Sequence, residues 1–126
     1  MKDNLIKSKS TSFAIRIINL YKFLRQEQQE YVIGKQLLRS GTSTGANIRE
    51  GIYAESTADF IHKYQIALKE TAETEYWLFL LKETSYISES QYESINSNCA
   101  EIGKLLTSII KSTRNKNAPA STGDNC

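Results

Sequence analysis

The chain has 126 residues, of which 40% are apolar and 24% are charged, and its formal net charge is +2. This length is typical of one domain with a single hydrophobic core. Its only proline is Pro119, whereas sandwiches and barrels need turns, usually marked by glycine or proline, about every 8 to 12 residues. The composition therefore argues against an all-β fold and favours a few long helices.

Several other classes of protein do not match this sequence. No apolar run approaches the roughly 20 residues of a membrane span, and the N-terminus lacks the apolar core of a signal peptide. Cys99 and Cys126 form no disulfide framework, which indicates a cytoplasmic protein. The small net charge neither requires nor excludes a nucleic-acid partner.

The first predicted helix spans Ser10 to Gln29. Its apolar residues recur at helical spacing and form one stripe: Phe13, Ile17, Leu20, Tyr21 and Leu24. Ser10 or Thr11 is the expected N-cap, because a hydroxyl can accept a free N–H of the first turn.

The second predicted helix spans Val32 to Glu55 and contains seven consecutive small residues, from Ser40 to Ala46. Two interpretations are open, since each glycine costs a helix about 1 kcal/mol relative to alanine. The small residues form either a loop between two short helices or the close-packed part of one helix. The continuous helix is favoured because Leu37 and Ile48, eleven residues apart, keep the same helical phase.

The third and fourth predicted helices span Ala58 to Ser85 and Ser90 to Thr113. Ser56 or Thr57 is the expected cap of the third helix, and Ser90 with Glu93 matches a capping box for the fourth. Short linkers favour antiparallel neighbours. The sequence thus predicts an all-α, antiparallel up-and-down four-helix bundle over residues 1–114, followed by a disordered C-terminal tail over residues 115–126.

No set of residues suited to catalysis is evident. A di-iron bundle needs Glu-x-x-His on two helices, but His62 is the only histidine and Asp59 precedes it. The small-residue block lacks the lysine of a phosphate-binding loop, and Cys99 has no histidine partner in the sequence. We therefore expect no catalytic, cofactor-binding or metal-binding residues, and a protein that is not an enzyme.

Glu75 lies on the apolar stripe of the third helix, where an unpaired carboxylate would be costly. We expect it to pair with Arg39 or Arg49, inside the bundle or at a subunit contact. In the alternative, the helix is rotated so that Glu75 reaches water. With Asn47 and Glu50, these residues form a predicted structural polar cluster.

The charges are unevenly distributed along the chain. Residues 1–31 carry six basic and three acidic residues, whereas residues 57–86 carry three basic and five acidic ones. Helices of opposite charge that pack side by side would explain this. In the other interpretation, the first helix has a basic edge that binds nucleic acid, formed by Lys7, Lys9, Arg16, Lys22 and Arg25.

The third helix is apolar on more than one side. Phe60, Tyr64, Leu68 and Leu78 occupy one face, and further apolar residues follow near Trp77. A helix of a four-helix bundle needs only one buried face, so a second apolar side indicates self-association.

Two blocks of the sequence resemble a bacterial four-helix-bundle family, the proteins encoded in intervening sequences of 23S ribosomal RNA genes. The first runs from Leu38 to Gly51 and contains Asn47-Ile48-Arg49-Glu50-Gly51. The second is the glutamate-rich third helix, including Glu73-Thr74-Glu75-Tyr76-Trp77-Leu78. The accessory variability protein of diversity-generating retroelements is similar to this family.

The resemblance implies an up-and-down bundle that assembles into a homopentameric ring, with no established enzymatic activity. It also implies that Asn47, Glu50, Gly51 and Glu75 are structural and connect the second and third helices. The retroelement relatives bind nucleic acid and a reverse transcriptase through a positive surface. Two functions follow as hypotheses: a module that binds RNA, DNA or a nucleic-acid enzyme, and a purely structural or protein-interaction bundle.

Overall fold

The computed structural model describes residues 2–117, which form four α-helices and, over that range, no strand. They are α1 (Lys2–Glu27), α2 (Ile33–Ile52), α3 (Thr57–Glu83) and α4 (Glu89–Lys116). Helix α1 packs against α2 and α4, and α3 packs against the same two helices from the opposite corner. The predicted all-α class with four helices is confirmed.

Consecutive helices run in opposite directions. The space beside Gly45, late in α2, is bounded by Ser10 of α1, whereas Gly34, early in α2, lies against Tyr21. In the same way, Gly51 at the end of α2 meets Tyr64 near the start of α3. The connections are short, as an antiparallel arrangement requires.

The core lies along the axis of the bundle, where apolar stripes from all four helices meet. Phe13, Leu37, Tyr64 and Leu106 are among its fully or almost fully buried side chains. Cys99 belongs to this core, as predicted, and is a free thiol.

Helix α1 begins at Lys2, so its predicted start at Ser10 is wrong. The hydroxyl groups of Ser10 and Thr11 donate to the Lys7 carbonyl at 3.2 and 2.8 Å, which places both residues inside the helix rather than at a cap. Ile6 explains the longer helix, because its fully buried side chain continues the apolar stripe toward the N-terminus.

Helix α4 begins at Glu89, and its capping box is formed by Ser88 and Gln91. The Ser88 hydroxyl accepts the Gln91 N–H at 3.1 Å, and the Gln91 side chain accepts the Ser88 N–H at 2.7 Å. The predicted box at Ser90 and Glu93 is therefore wrong by two residues. Ser90 and Glu93 have the right spacing for a capping box as well. Ile87 is buried, however, and this apolar contact fixes the chain just before Ser88, so that the helix begins there.

The helix also continues past its predicted end. Residues 115 and 116 belong to α4, so they are not part of a tail. Asn117 is the C-cap of α4, and the remaining residues of the predicted tail, 118–126, lie outside the described residues.

Helix α2 is one continuous helix through the small-residue block, as favoured from its apolar register. The block lets α1 approach closely, since a Cβ added to Gly41 would lie 2.8 Å from two carbons of Ile17. The hydroxyls of Thr42 and Thr44 bond back to carbonyls one turn earlier and therefore need no water.

Candidate nucleic-acid interface

The five cations proposed for the edge of α1 lie on two different sides of the helix. Lys9 and Arg16 face α4: Lys9 pairs with Glu101 at 3.0 Å, and Arg16 donates to Asn98 at 2.6 Å and to Ser94. The structure thus separates these two residues from the other three.

Lys7, Lys22 and Arg25 lie on the side of α1 that borders α2. They lie on the same side of α1 as Thr11, because the spacings between these four residues are each close to a whole number of helical turns. The Thr11 hydroxyl accepts a hydrogen bond from Arg49 of α2 at 3.1 Å, which fixes the position of this stripe.

Two cations of α2 extend the same surface. Arg49 reaches it through Thr11, and Lys35 lies fourteen residues earlier, on nearly the same side of the helix. Both side chains are exposed. We call the resulting surface the basic stripe; it consists of Lys7, Lys22, Arg25, Lys35 and Arg49.

The basic stripe has no acidic partners among the described residues. None of its five cations forms an ion pair there. Two carboxylates in or next to α2 are used elsewhere: Glu30, in the α1–α2 loop, accepts three backbone N–H groups at the start of α2, and Glu50 pairs with Lys63 of α3 at 2.9 Å. Within the described residues, no carboxylate therefore compensates the positive charge of the stripe.

The stripe has two ends. Lys22, Arg25 and Lys35 lie near the α1–α2 loop, where the Arg25 guanidinium covers the Tyr31 ring at 5.4 Å. Lys7 and Arg49 lie about 20 Å away along the bundle, because fourteen or fifteen helical residues at about 1.5 Å each separate the two ends. A ligand that contacts both ends must be an extended polyanion.

Sequence reasoning missed Lys35 and assigned Arg49 to the polar cluster instead. Neither residue stands out by its neighbours in the sequence, since Lys35 follows a glycine and Arg49 precedes Glu50. The available signal was the spacing of fourteen residues between Lys35 and Arg49, which places both on nearly the same side of α2. This spacing indicates a shared surface only once the side of α2 that borders α1 is known.

The charges between α2 and α3, by contrast, are compensated. Arg39 donates to Glu70 at 3.0 Å and also pairs with Glu73. The hydrogen bond from Arg39 is the main cause that lowers the pKa of the Glu73 carboxyl, and the bond from the Trp77 indole adds to it against the opposing effect of burial. The bond to Glu73 likewise raises the pKa of Arg39.

The predicted polar cluster is therefore spread along α2. Arg39 and Glu50 bind α3, Arg49 binds α1, and the Asn47 amide donates within α2 to the Ser43 carbonyl at 2.9 Å. Of the residues expected to connect the second and third helices, Glu50 pairs with Lys63 and Gly51 lies against Tyr64. The Asn47 amide bonds within α2 instead.

Within the chain, Glu75 pairs with neither arginine, so that prediction is wrong for the inside of the bundle. Arg39 lies on the α2 side of α3 and is taken by Glu70 and Glu73. Glu75 lies on the α4 side, where its charge adds to burial in raising the pKa of the Cys99 thiol to about 12. Glu75 is half-buried, which agrees with the alternative of a helix rotated toward water. Its pairing at a subunit contact stays a prediction.

The outward side of α3 contains an exposed apolar patch. Tyr76 and Phe79 are 54% and 42% exposed, and they share this side with Ala72. On the diagonally opposite helix, Ile15 and Ile18 of α1 are also exposed. We call the surface formed by Ala72, Tyr76 and Phe79 the outer α3 face.

The described residues show neither a metal-binding cluster nor a membrane-spanning helix. His62 is exposed, and no three histidine, cysteine or acidic side chains of residues 4–117 gather as metal ligands would. Within the same part of the chain, no helix is both long enough and apolar enough to cross a membrane.

Comparison with known proteins gives a family and a structural neighbour. A family model described as 23S rRNA-intervening sequence protein matches residues 2–108. The chain is similar to a crystal structure from Bacteroides thetaiotaomicron, described as a protein of unknown function from the S23 ribosomal protein family. The two are 66% identical with a TM-score of 0.88, and the match covers 88% of this chain and 99% of that one. No curated protein matches the chain.

Proposed function

The chain belongs to the family of 23S rRNA-intervening sequence proteins, and we propose that it is a non-catalytic, self-associating bundle that binds nucleic acid through its basic stripe. The ligand is the phosphate backbone, which is the part of a nucleic acid that a row of lysines and arginines recognises regardless of sequence. No residue of the chain is assigned a chemical step.

The observation that carries this proposal is the contrast between the two sides of α2. On the α3 side, Arg39 and Lys63 each have a carboxylate partner. On the α1 side, the cations have none among the described residues, and repulsion among them is relieved when they bind an external polyanion. Packing of oppositely charged helices does not account for this surface, because α1 and α2 both contribute cations to it.

Self-association is proposed through the outer α3 face. Exposed aromatic rings such as Tyr76 and Phe79 lose contact with water when a second copy covers them, and such rings are enriched at interfaces. The family resemblance supports a homopentameric ring in particular. A ring repeats the basic stripe five times, which strengthens binding to a long polyanion by multivalency.

The nucleic-acid part is tested with a fluorescently labelled oligonucleotide at low salt. We expect the wild-type protein to bind it, and the double variant Lys22→Gln/Lys35→Gln to bind at least tenfold more weakly, because two phosphate contacts are lost. The matched control is Lys9→Gln, which removes the same kind of charge from a lysine that already pairs with Glu101. Equal loss in the control, or no wild-type binding, would contradict the proposal.

The assembly is tested by light scattering coupled to size-exclusion chromatography. We expect the mass of a pentamer for the wild-type chain and of smaller species for Tyr76→Glu/Phe79→Glu, because buried carboxylates oppose the contact. His62→Glu, at another exposed position of α3, is the control and should keep the wild-type mass. A wild-type monomer at micromolar concentration would contradict this part.

A protein-interaction bundle without a nucleic-acid role is the second candidate, and the outer α3 face is the observation that favours it. The binding assay separates the two. This candidate predicts an oligomer that fails to retain nucleic acid even at low salt.

A further inference from the structure

The seam between α1 and α4 contains an open groove of about 510 Å³. Its floor is apolar and is formed by Leu20, Phe23, Ile87 and Ile95. Small organic ligands occupy pockets of roughly 300 to 1,000 Å³, so the volume is sufficient for a nucleobase with its sugar.

Arg16 lies at the rim of this groove and has no counter-charge among the described residues. Its guanidinium donates to the Ser94 hydroxyl at 3.0 Å, to the Ser94 carbonyl at 3.3 Å and to Asn98 at 2.6 Å. All three acceptors are neutral. Lys9 bridges the same two helices two turns away but meets the carboxylate of Glu101.

Arg16 is therefore a positioned cation that can still accept an anion. A guanidinium has five N–H donors in a planar fork, and the neutral acceptors hold it without cancelling its charge. Asn19 and Gln91, whose amides can donate and accept, also line the groove. The groove thus combines an apolar floor, a fixed positive charge and amide groups at its rim.

We propose that this groove holds one unstacked nucleotide of a single-stranded nucleic acid, with its phosphate on Arg16 and its base packed against Phe23. This inference rests on the proposed function and narrows its ligand class from nucleic acid in general to single strands. Base–aromatic contact and cationic backbone contact are the two terms that single-strand binding combines.

The groove is within reach of the basic stripe. Lys22 lies six residues after Arg16, or about 9 Å along α1, and points about 120° away from it around the helix axis. A single strand that follows the stripe therefore crosses only the exposed outer surface of α1 before one nucleotide enters the groove. A duplex keeps its bases stacked and cannot place one there without unpairing it.

The test compares one oligonucleotide as a single strand and as a duplex, with wild-type protein and Phe23→Leu. Leucine keeps the apolar filling next to the core and removes the aromatic face. We expect about a tenfold loss of single-strand affinity and no change for the duplex. Tyr53→Leu removes an aromatic ring that is 81% exposed in the α2–α3 loop, and it is the matched control expected to bind normally.

Arg16→Gln provides a second, independent variant. We expect weaker single-strand binding and a slope of log affinity against log salt that is smaller by about 0.7, the value for one lost phosphate contact. A third experiment needs no variant: wild-type protein is photocrosslinked to an oligonucleotide that contains 5-bromouridine. The peptide that contains Phe23 should carry the adduct.

The outcomes separate this inference from the proposed function. Equal affinity for single strand and duplex, unchanged in Phe23→Leu and without an adduct near Phe23, overturns the groove but leaves the basic stripe in place. An absence of binding to either form at low salt overturns both.

Discussion

Glycines of α2 differ in the space around them, although they look alike in the sequence. A Cβ at Gly41 would lie 2.8 Å from Ile17, and one at Gly51 would lie 2.7 Å from Tyr64. At Gly45 the nearest atom would be 3.6 Å away, an ordinary contact distance. The sequence predicts close packing for the cluster, but which glycine is in contact depends on the register between α1 and α2, which no local pattern contains.

Gly41→Ala should destabilise the protein by about 1 to 3 kcal/mol, because the methyl group forces Ile17 or the α2 backbone to move. Gly45→Ala should leave the protein as stable or up to about 1 kcal/mol more stable, since alanine favours the helix and meets no clash. Urea unfolding of the two variants measures the difference. A Gly41→Ala variant at least as stable as Gly45→Ala would contradict the described packing.

Glu30 caps α2 from outside the helix. Its carboxylate accepts the N–H groups of Val32, Ile33 and Gly34 at 3.2, 3.0 and 2.6 Å, and the residue is 7% exposed. Val32 at the N-cap position offers no side-chain acceptor. In the sequence, Glu30 is the end of a polar run, and the sharp turn at Gln29, with φ of 50°, is what brings it back over α2.

Glu30→Ala should therefore cost about 1 to 2 kcal/mol of unfolding free energy, the upper range for the loss of an N-cap. The control is Glu27→Ala, an exposed glutamate at the end of α1, which should change stability by less than about 0.5 kcal/mol. Urea unfolding monitored by circular dichroism gives both values. Equal effects of the two substitutions would show that Glu30 is not a cap.

At the scale of elements, periodicity predicted the existence of all four helices but misplaced the starts of α1 and α4, whereas Ser56 caps α3 as expected. The start of α1 was missed because Leu5 and Ile6 are the only large aliphatic residues between Lys2 and Thr11, which is too few to show a helical period. At α4, two overlapping serine motifs both match a capping box, and burial of Ile87 selects the earlier one.

Helix α3 contacts α2 through two kinds of polar bond. Inside the seam, the Thr74 hydroxyl donates to Ser40 at 2.8 Å, and Thr44 and Thr71 share a hydrogen bond of 3.2 Å. At its surface, Arg39 binds Glu70 and Glu73. The buried hydroxyls are neutral, so only the surface bonds make the stability of this pair of helices depend on pH.

Glu73 should contribute stability that depends on pH in a specific direction. Its pKa is lowered in the folded protein, mainly by Arg39, so its contribution is present above the unfolded pKa of about 4.3 and is lost as the pH falls through the folded value. Glu73→Gln should cost at most about 1 kcal/mol at pH 7, as a partly exposed pair does, and little at pH 2.

Thermal melting at both pH values checks this prediction. Glu93→Gln is the control, because Glu93 is exposed and forms no ion pair among the described residues. A loss in Glu73→Gln that is equal at pH 7 and pH 2 would contradict the pairing. The fluorescence of Trp77, which donates to Glu73 at 3.0 Å, provides a local readout of the same titration.

At the scale of the whole molecule, the basic stripe and the outer α3 face occupy different sides of the bundle. The basic stripe lies where α1 meets α2, and the outer α3 face lies on the diagonal opposite α1. The uneven charge of the chain was visible in the sequence. The sequence did not show that the charges are paired between α2 and α3 but not between α1 and α2. That difference depends on which carboxylates the fold places beside each cation.

The salt dependence of nucleic-acid binding tests the central proposal most directly. Wild-type affinity for a single-stranded oligonucleotide should fall with salt at a log–log slope that becomes shallower by about 0.7 for each phosphate contact removed by neutralising Lys22, then Lys35, then Arg49. Lys9→Gln should keep the wild-type slope. Affinity that ignores salt, or a slope unchanged when all three cations are neutralised, would contradict binding through the basic stripe.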